Sequence, residues 1–164
     1  RNINVRWFTF DLEDLLEIKI QDSEIEKFSI IKGDLVICEG GEPGRCAVWD
    51  KDENIFFQKA LHRVRFTIEA DAKFYMYYLY FAAQTGVLQK HFTGTGIKHL
   101  VGAALKKVLV PVTDYVNQHR IIEEIDSRLS VCDSIEQSVS VALRQAAALR
   151  RSILKQAFEG KLIS

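Results

Sequence analysis

The sequence predicts an α+β fold, a compact mixed domain over residues 1–112 followed by one long coiled-coil helix over residues 113–164. Three observations carry this. Eight of the nine glycines and both prolines lie at or before residue 112, between short strand-like runs. From Thr113 to Glu159 there is neither Gly nor Pro. The 164 residues are 48% hydrophobic and 27% charged, a balance that supports a packed core rather than a disordered chain.

In the first part, Ser29–Glu39 carries a Lys32-Gly33-Asp34 turn that feeds the apolar run Leu35–Cys38, expected to be a buried strand. Gly40, Gly41, Pro43 and Gly44 then make a tight loop, and Arg45–Trp49 resumes as a strand, so the pair reads as a β-hairpin. Asp50–Asn54 is a polar turn, followed by strands at Ile55–Gln58 and Leu61–Ile68. In the latter, Leu61, Arg63, Arg65 and Thr67 alternate with His62, Val64, Phe66 and Ile68. Arg63 and Arg65 are thereby set on the face opposite Val64 and Phe66.

Ala72–Thr85 is dense in aromatics and stops at Gly86, which predicts a helix. Aromatics at this density can be stacking platforms for bases, but a stretch apolar nearly all round is expected to be domain core. Leu88–Leu100 is a polar loop with Gly94 and Gly96. Val101–Lys107 is expected as a short helix, and Val108–Val112 as a last strand at the domain edge, where Pro111 is tolerated.

The terminal segment begins at Asp114, a suitable N-cap, and ends before Gly160, a suitable stop. Its length of about 45 residues would span roughly 65–70 Å. Ile122, Ile125, Leu129 and Cys132 form an apolar stripe that continues through Ile135, Val139, Ala142, Ala146, Leu149 and Ile153. The short step from Cys132 to Ile135 slips the register by a stammer. A narrow stripe of this length needs a second long helix, from another copy, another chain or another part of the same protein. The alternative is a helix folded back on its own domain. Ala142, Ala146, Ala147 and Ala148 would allow close approach of a partner. Residues 113–140 carry 2 basic and 6 acidic side chains, and residues 141–164 carry 5 and 1, which favours antiparallel pairing.

The formal net charge is zero, with 22 basic and 22 acidic residues. That neutrality is a cancellation. Residues 1–53 carry a net of −6, and residues 54–112, with 8 basic and 2 acidic side chains, a net of +6. Such blocks either neutralise one another across a fold or mark a patch for an anionic partner. The block contains Lys59, His62, Arg63, Arg65, Lys73, Lys90, His91, Lys98, His99, Lys106 and Lys107, and its loop adds the hydroxyls of Thr93 and Thr95. Lys and Arg can donate to guanine O6 and N7, and Thr can bond phosphate or touch a thymine methyl.

Other chemistries find little support. No apolar run is long enough for a membrane span, and the sequence opens at Arg1 without a charged-then-apolar stretch, so no secretory signal is expected. Arg1 is expected to be an internal residue of a longer protein whose N-terminal part is missing. Cys38, Cys46 and Cys132 have no metal-ligand spacing, so neither a metal site nor a disulfide framework is expected, and a reducing cytoplasm fits best. Cys132 reads as a small hydrophobe in the helical stripe. Gly94-Thr95-Gly96 is followed by His99 where a dinucleotide fingerprint needs Gly, and no phosphate-binding GK[ST] occurs. A Cys38 or Cys46 nucleophile with His62 as base rests on residue type alone. No amino-methyltransferase or nuclease motif is present, so no catalysis and no cofactor is expected.

The stretch Lys32–Trp49 (KGDLVICEGGEPGRCAVW), the loop Thr93–Leu100 (TGTGIKHL), Val108–Val112 followed by Asn117–Ile122, and the ending Leu149–Ile163 (LRRSILKQAFEGKLI) occur in that order. Together they resemble the specificity (S) subunit of type I restriction–modification systems, specifically the C-terminal target recognition domain with the family's conserved coiled-coil region. The resemblance covers nearly the whole chain, and the GD…GG.PG element and the LKQAFEGKL tail are its most specific pieces. The chain departs from the family at the helix start, where a P-x-P-P…E-Q-x-x-I run is replaced by Pro111-Val112-Thr113-Asp114…Asn117-Gln118.

The resemblance implies a domain that reads one half of a bipartite double-stranded DNA site while a second domain reads the other half. It implies two long helices, paired antiparallel, that set the distance between half-sites and dock methyltransferase (M) subunits. It also implies that the assembly recruits the restriction (R) subunit. The residues expected to meet DNA are Lys59, Arg63, Arg65, Lys90, His91, Thr93, Thr95, Lys98 and His99. The competing class is a coiled-coil adaptor whose head binds protein, and steep salt dependence separates the two.

Overall fold

The computed structural model describes residues 1–57 and 59–162. Gln58, the last residue of one expected strand, and Ile163 in the family-like tail lie outside the described residues, as does Ser164. The chain divides into two compact units, Arg1–Ile121 and Ile122–Ser164.

The elements in order are α1 (Ile25–Phe28), β1 (Ser29–Ile30), β2 (Leu35–Cys38), β3 (Cys46–Val48), β4 (Ile55–Phe56), β5 (Leu61–Val64), α2 (Ala72–Gln84), α3 (Gly102–Leu105) and α4 (Tyr115–Phe158). Short 3₁₀ turns cover Asn2–Asn4, Asp22–Glu24 and Leu88–His91. The α+β class with a long terminal helix is what the sequence predicts.

β2 is the centre of a three-stranded antiparallel sheet in the order β3-β2-β5, and β1 pairs antiparallel with β4 in a two-stranded sheet. The expected hairpin is present, with Leu35 opposite Val48 and Ile37 opposite Cys46. Every residue of β2 is at most 2% exposed, as an uninterrupted apolar run flanked on both sides should be. Val36, Cys38, Ala47 and Leu61 form one core cluster with Val5, Ile30 and Trp49. Trp49 donates its indole N–H to Glu53 O at 2.8 Å, which satisfies its polar atom inside that cluster.

α2 starts where Asp71 accepts from Lys73 N at 2.8 Å, an N-cap bond. Phe74, Tyr75, Met76, Leu79 and Ala82 of this helix are buried, whereas Tyr77, Tyr78 and Tyr80 are half-buried and Phe81 is exposed, so only part of its aromatic row is core.

Two expectations are corrected. The strand expected at Leu61–Ile68 ends at Val64, because its partner β2 begins at Leu35, opposite Val64, and residues 65–68 have no strand left to pair with. Phe66 instead stacks on Tyr75 at 4.9 Å. Val108–Val112 is not a strand. Pro111 has no N–H to give a ladder, and the segment is held by Tyr78 Oη donating to Leu109 O at 2.8 Å, leaving Leu109 and Val112 more than four-fifths exposed.

α4 is capped at both ends as the sequence predicts. Asp114 Oδ1 accepts from Asn117 N at 2.9 Å, and that backbone bond holds the Asp114 carboxyl below its usual pKa. Gly160 has φ +71°, with Gly160 N donating to Ala157 O and Lys161 N to Gln156 O, the pattern of a Schellman stop. Among the described residues, no helix is long and apolar enough to cross a membrane.

Candidate nucleic-acid interface

The loop between α2 and α3 is suspended from buried anchors. Leu88 and Leu100 are fully buried at its two ends. Leu100 N donates to Glu39 O at 2.8 Å, and His62 Nε2 lies 2.7 Å from Leu100 O. The GG.PG element supplies the seat: at Gly44, with φ +91°, any Cβ would collide with Leu88 Cδ2, and a Cβ on Gly40 would sit 3.0 Å from His99 Nδ1. The glycines in that motif therefore admit the loop against the sheet.

Above these anchors the loop closes on itself. Thr93 N donates to His99 O at 2.8 Å and His99 N to Thr93 O at 2.9 Å, an antiparallel bridge. Lys98 Nζ reaches back to Gly94 O at 2.7 Å. Gly94 has φ +96°, and a Cβ there would strike Ile97 O, so the turn requires Gly at that place. Residues 93–98 are all exposed. The loop brings together Lys90, His91, Thr93, Thr95, Lys98 and His99, with only His91 and His99 partly covered. From Ala72 to Thr113 the sequence contains no Asp or Glu, and among the described residues no carboxylate pairs with Lys90, Lys98, Lys106 or Lys107.

Arg63, Arg65 and Lys59 lie outside this loop. Arg65 makes a two-pronged pair with Asp34, Nε to Oδ1 at 2.8 Å and Nη2 to Oδ2 at 2.6 Å. The Asp34 side chain is 1% exposed, also accepts from Ile31 N at 2.8 Å, and holds the Arg65 guanidinium charge in place. Arg63 donates to Ser29 O at 2.6 Å and Glu26 O at 2.9 Å and lies over the Phe57 ring. Arg63 thus ties β5, and Arg65 the residues just after it, to the acidic first third of the chain. Lys59 is exposed on the turn before β5, beside a shallow hollow lined by Ile18, Phe28 and Phe57.

The helical stripe is graded. Ile122 is buried and Ile125 intermediate, whereas Leu129, Cys132, Ile135, Val139, Ala142, Ala146, Leu149 and Ile153 are all exposed. Leu149 is 61% and Ile135 57% exposed, an apolar row left facing water along α4.

Cys38 and Cys46 are buried, and burial raises both thiol pKa values, Cys46 furthest. Neither is poised as a thiolate, and His62 is engaged with Leu100. Among the described residues, no group of three or more His, Cys, Asp or Glu could hold a metal ion.

Three residues important to this arrangement carry weak sequence signals. Asp34 sits in a turn motif that looks merely polar. Gln118, 2% exposed, accepts from Asp71 N at 2.8 Å and donates to Thr113 O at 2.9 Å, so it joins the start of α4 to the start of α2. Ile97 is 75% exposed at the loop tip, and its signal is a bulky apolar residue between Gly96 and Lys98.

No family model matches the chain. The chain is 27% identical over 155 residues to the type I restriction enzyme EcoBI specificity subunit of Escherichia coli, covering 93% of this chain and 32% of that protein. It is 25% identical over 166 residues to the EcoKI specificity subunit of Escherichia coli strain K12, covering 97% and 36%. A chain from a solved structure concerned with assembly and conformational transition of a type I restriction–modification system superposes with a TM-score of 0.70 at 18% identity, over 82% of this chain and 33% of that one. This likeness shows the fold, and the sequence relatives bear out the resemblance read from the motifs. The chain is thus similar over nearly its whole length to the type I restriction enzyme specificity subunits, and spans about a third of theirs.

Proposed function

We propose that this chain is a sequence-specific double-stranded DNA recognition domain of a type I restriction–modification specificity subunit, with no catalysis of its own. The observation that carries the reading is the loop Leu88–Leu100, rigidly anchored, exposed at its tip and set in a stretch without acidic residues. Phosphates are bound by unpaired cations, and base edges by side chains held on a fixed frame. Both are available on this loop, and the relatives carry the name of specificity subunits.

α4 serves as the spacer. Its exposed stripe pairs antiparallel with the corresponding helix from the other half of the specificity subunit or from a second copy, acidic half against basic half. That pairing sets the distance between two half-sites and docks the M subunits, and the completed assembly takes up the R subunit. The site of action is the cytoplasm, with no membrane contact.

The test is a mobility-shift titration of this chain assembled with its M subunit on duplex DNA over a range of salt. The expected result is binding whose log affinity falls linearly with log salt. No shift at low salt, or a shift insensitive to salt, would sink the proposal and favour an adaptor head that binds protein.

A further inference from the structure

Ile97 is a β-branched residue, 75% exposed, at the tip of a loop that is held at its base and at both ends. The Thr93–His99 bridge closes the base, the Lys98 ammonium braces Gly94 O, and Leu88 and Leu100 fix the ends. Ile has few side-chain rotamers to lose on being covered, and burying such a side chain is strongly favourable. The tip is therefore prepared to take an apolar contact at low entropic cost.

The surroundings define what kind of surface can supply it. Lys90, His91, Lys98 and His99 share the loop, Thr93 and Thr95 add hydroxyls, and no acidic residue occurs from Ala72 to Thr113. The complementary surface is strongly anionic yet offers a small apolar spot within reach of the same loop. The major groove of duplex DNA has that combination: phosphates on both sides and, on its floor, the C5-methyl group of thymine.

Resting on the DNA reading above, we infer that Ile97 is a specificity-determining residue that recognises a thymine through its C5-methyl group. Lys98 and Lys90 hold the flanking phosphates, and Ile97 supplies discrimination at one base pair. The charges give affinity that is indifferent to sequence, while the isoleucine is sensitive to a single methyl group.

The test uses the chain assembled with its M subunit and a duplex selected by that complex from a randomised library. Each thymine of the selected site is replaced singly by deoxyuridine, which removes the methyl and leaves the pairing edge unchanged. For the unaltered protein, one such replacement weakens binding by about fourfold, the worth of one buried methyl-sized group. Ile97→Ala binds the thymine duplex several-fold more weakly and no longer distinguishes it from that uridine duplex, while Ile97→Val keeps part of the difference. The melting temperature of Ile97→Ala stays that of the parent.

Equal losses on uridine replacement in the parent and Ile97→Ala would overturn the inference and leave the DNA reading intact. So would a selected site without any A·T pair, or an Ile97→Ala variant that loses the M subunit instead of the methyl discrimination. If the unaltered complex shifts no duplex at low salt, the DNA reading fails and this inference fails with it.

Discussion

Arg65, just past the end of β5, and Lys98 on the 88–100 loop belong to the same basic block of sequence, yet their surroundings differ in kind. Arg65 faces a carboxylate that is 1% exposed and gives it two short hydrogen bonds. Among the described residues Lys98 donates to the carbonyl of Gly94 and has no carboxylate partner, and it is exposed. The first arrangement stabilises the fold, because a buried carboxylate without its cation is costly. The second leaves a whole positive charge directed at solvent, where an anionic partner can use it. A count of basic residues treats the two alike. Their partners separate them into cations that hold the domain together and cations available for recognition.

The largest effect is expected from Arg65→Ala. It strands Asp34 with one remaining hydrogen-bond donor, and the expected loss in urea denaturation is about 3 kcal/mol. Under conditions where the variant is folded, its salt dependence on DNA matches the parent. An unchanged stability with a shallower salt slope would reverse the assignment of the two regions.

Gly44→Ala joins the regions, since it disturbs the seat of the loop without touching a charge. A Cβ there meets Leu88 at a backbone φ of +91°, and the expected cost is about 2 kcal/mol in thermal unfolding. DNA affinity falls along with stability, because the loop loses its anchor. If affinity held while stability fell, the rigid suspension of the loop would be irrelevant to binding.

Lys98→Ala is expected to leave the melting temperature unchanged and to reduce the slope of log affinity against log salt by about one. The mobility-shift titration reads this directly, and an unchanged slope removes the loop from the interface. The smallest effect is expected for Lys59→Ala. This residue is exposed but lies off the loop, so stability should move by less than about 0.5 kcal/mol. Its salt slope should change less than for Lys98→Ala, and a full unit of change would extend the interface to the turn before β5.

Local pattern made much of the fold legible. Leu35–Cys38 was readable as a strand from an unbroken apolar run, and the observed strand has the same ends. α2 and α4 end within two residues of their expected limits, because Asp71, Asp114 and Gly160 act on neighbours in sequence. The segments that departed from expectation depended on distant partners. Residues 65–68 alternate like a strand but have no strand opposite them, and Val108–Val112 has strand-forming residues with nothing to pair with.

The candidate site divides in the same way. Lys90, His91, Thr93, Thr95, Lys98 and His99 are neighbours in sequence and stay together on one loop. Arg63 and Arg65 belong to the same basic block, but their acceptors, Ser29 and Asp34, are more than thirty residues away. No periodicity reports a partner at that separation.

The sequence alone determined the α+β class, the order and caps of the main elements, the apolar stripe of α4 and the position of the basic block. These depend on spacing and on interactions within a few residues. The tertiary structure decided which cations remain unpaired, that Gln118 ties the start of α4 to α2, and that the GG.PG glycines seat Leu88 and His99. Those outcomes follow from strand register and from close approach of distant backbone, which one-dimensional patterning does not encode.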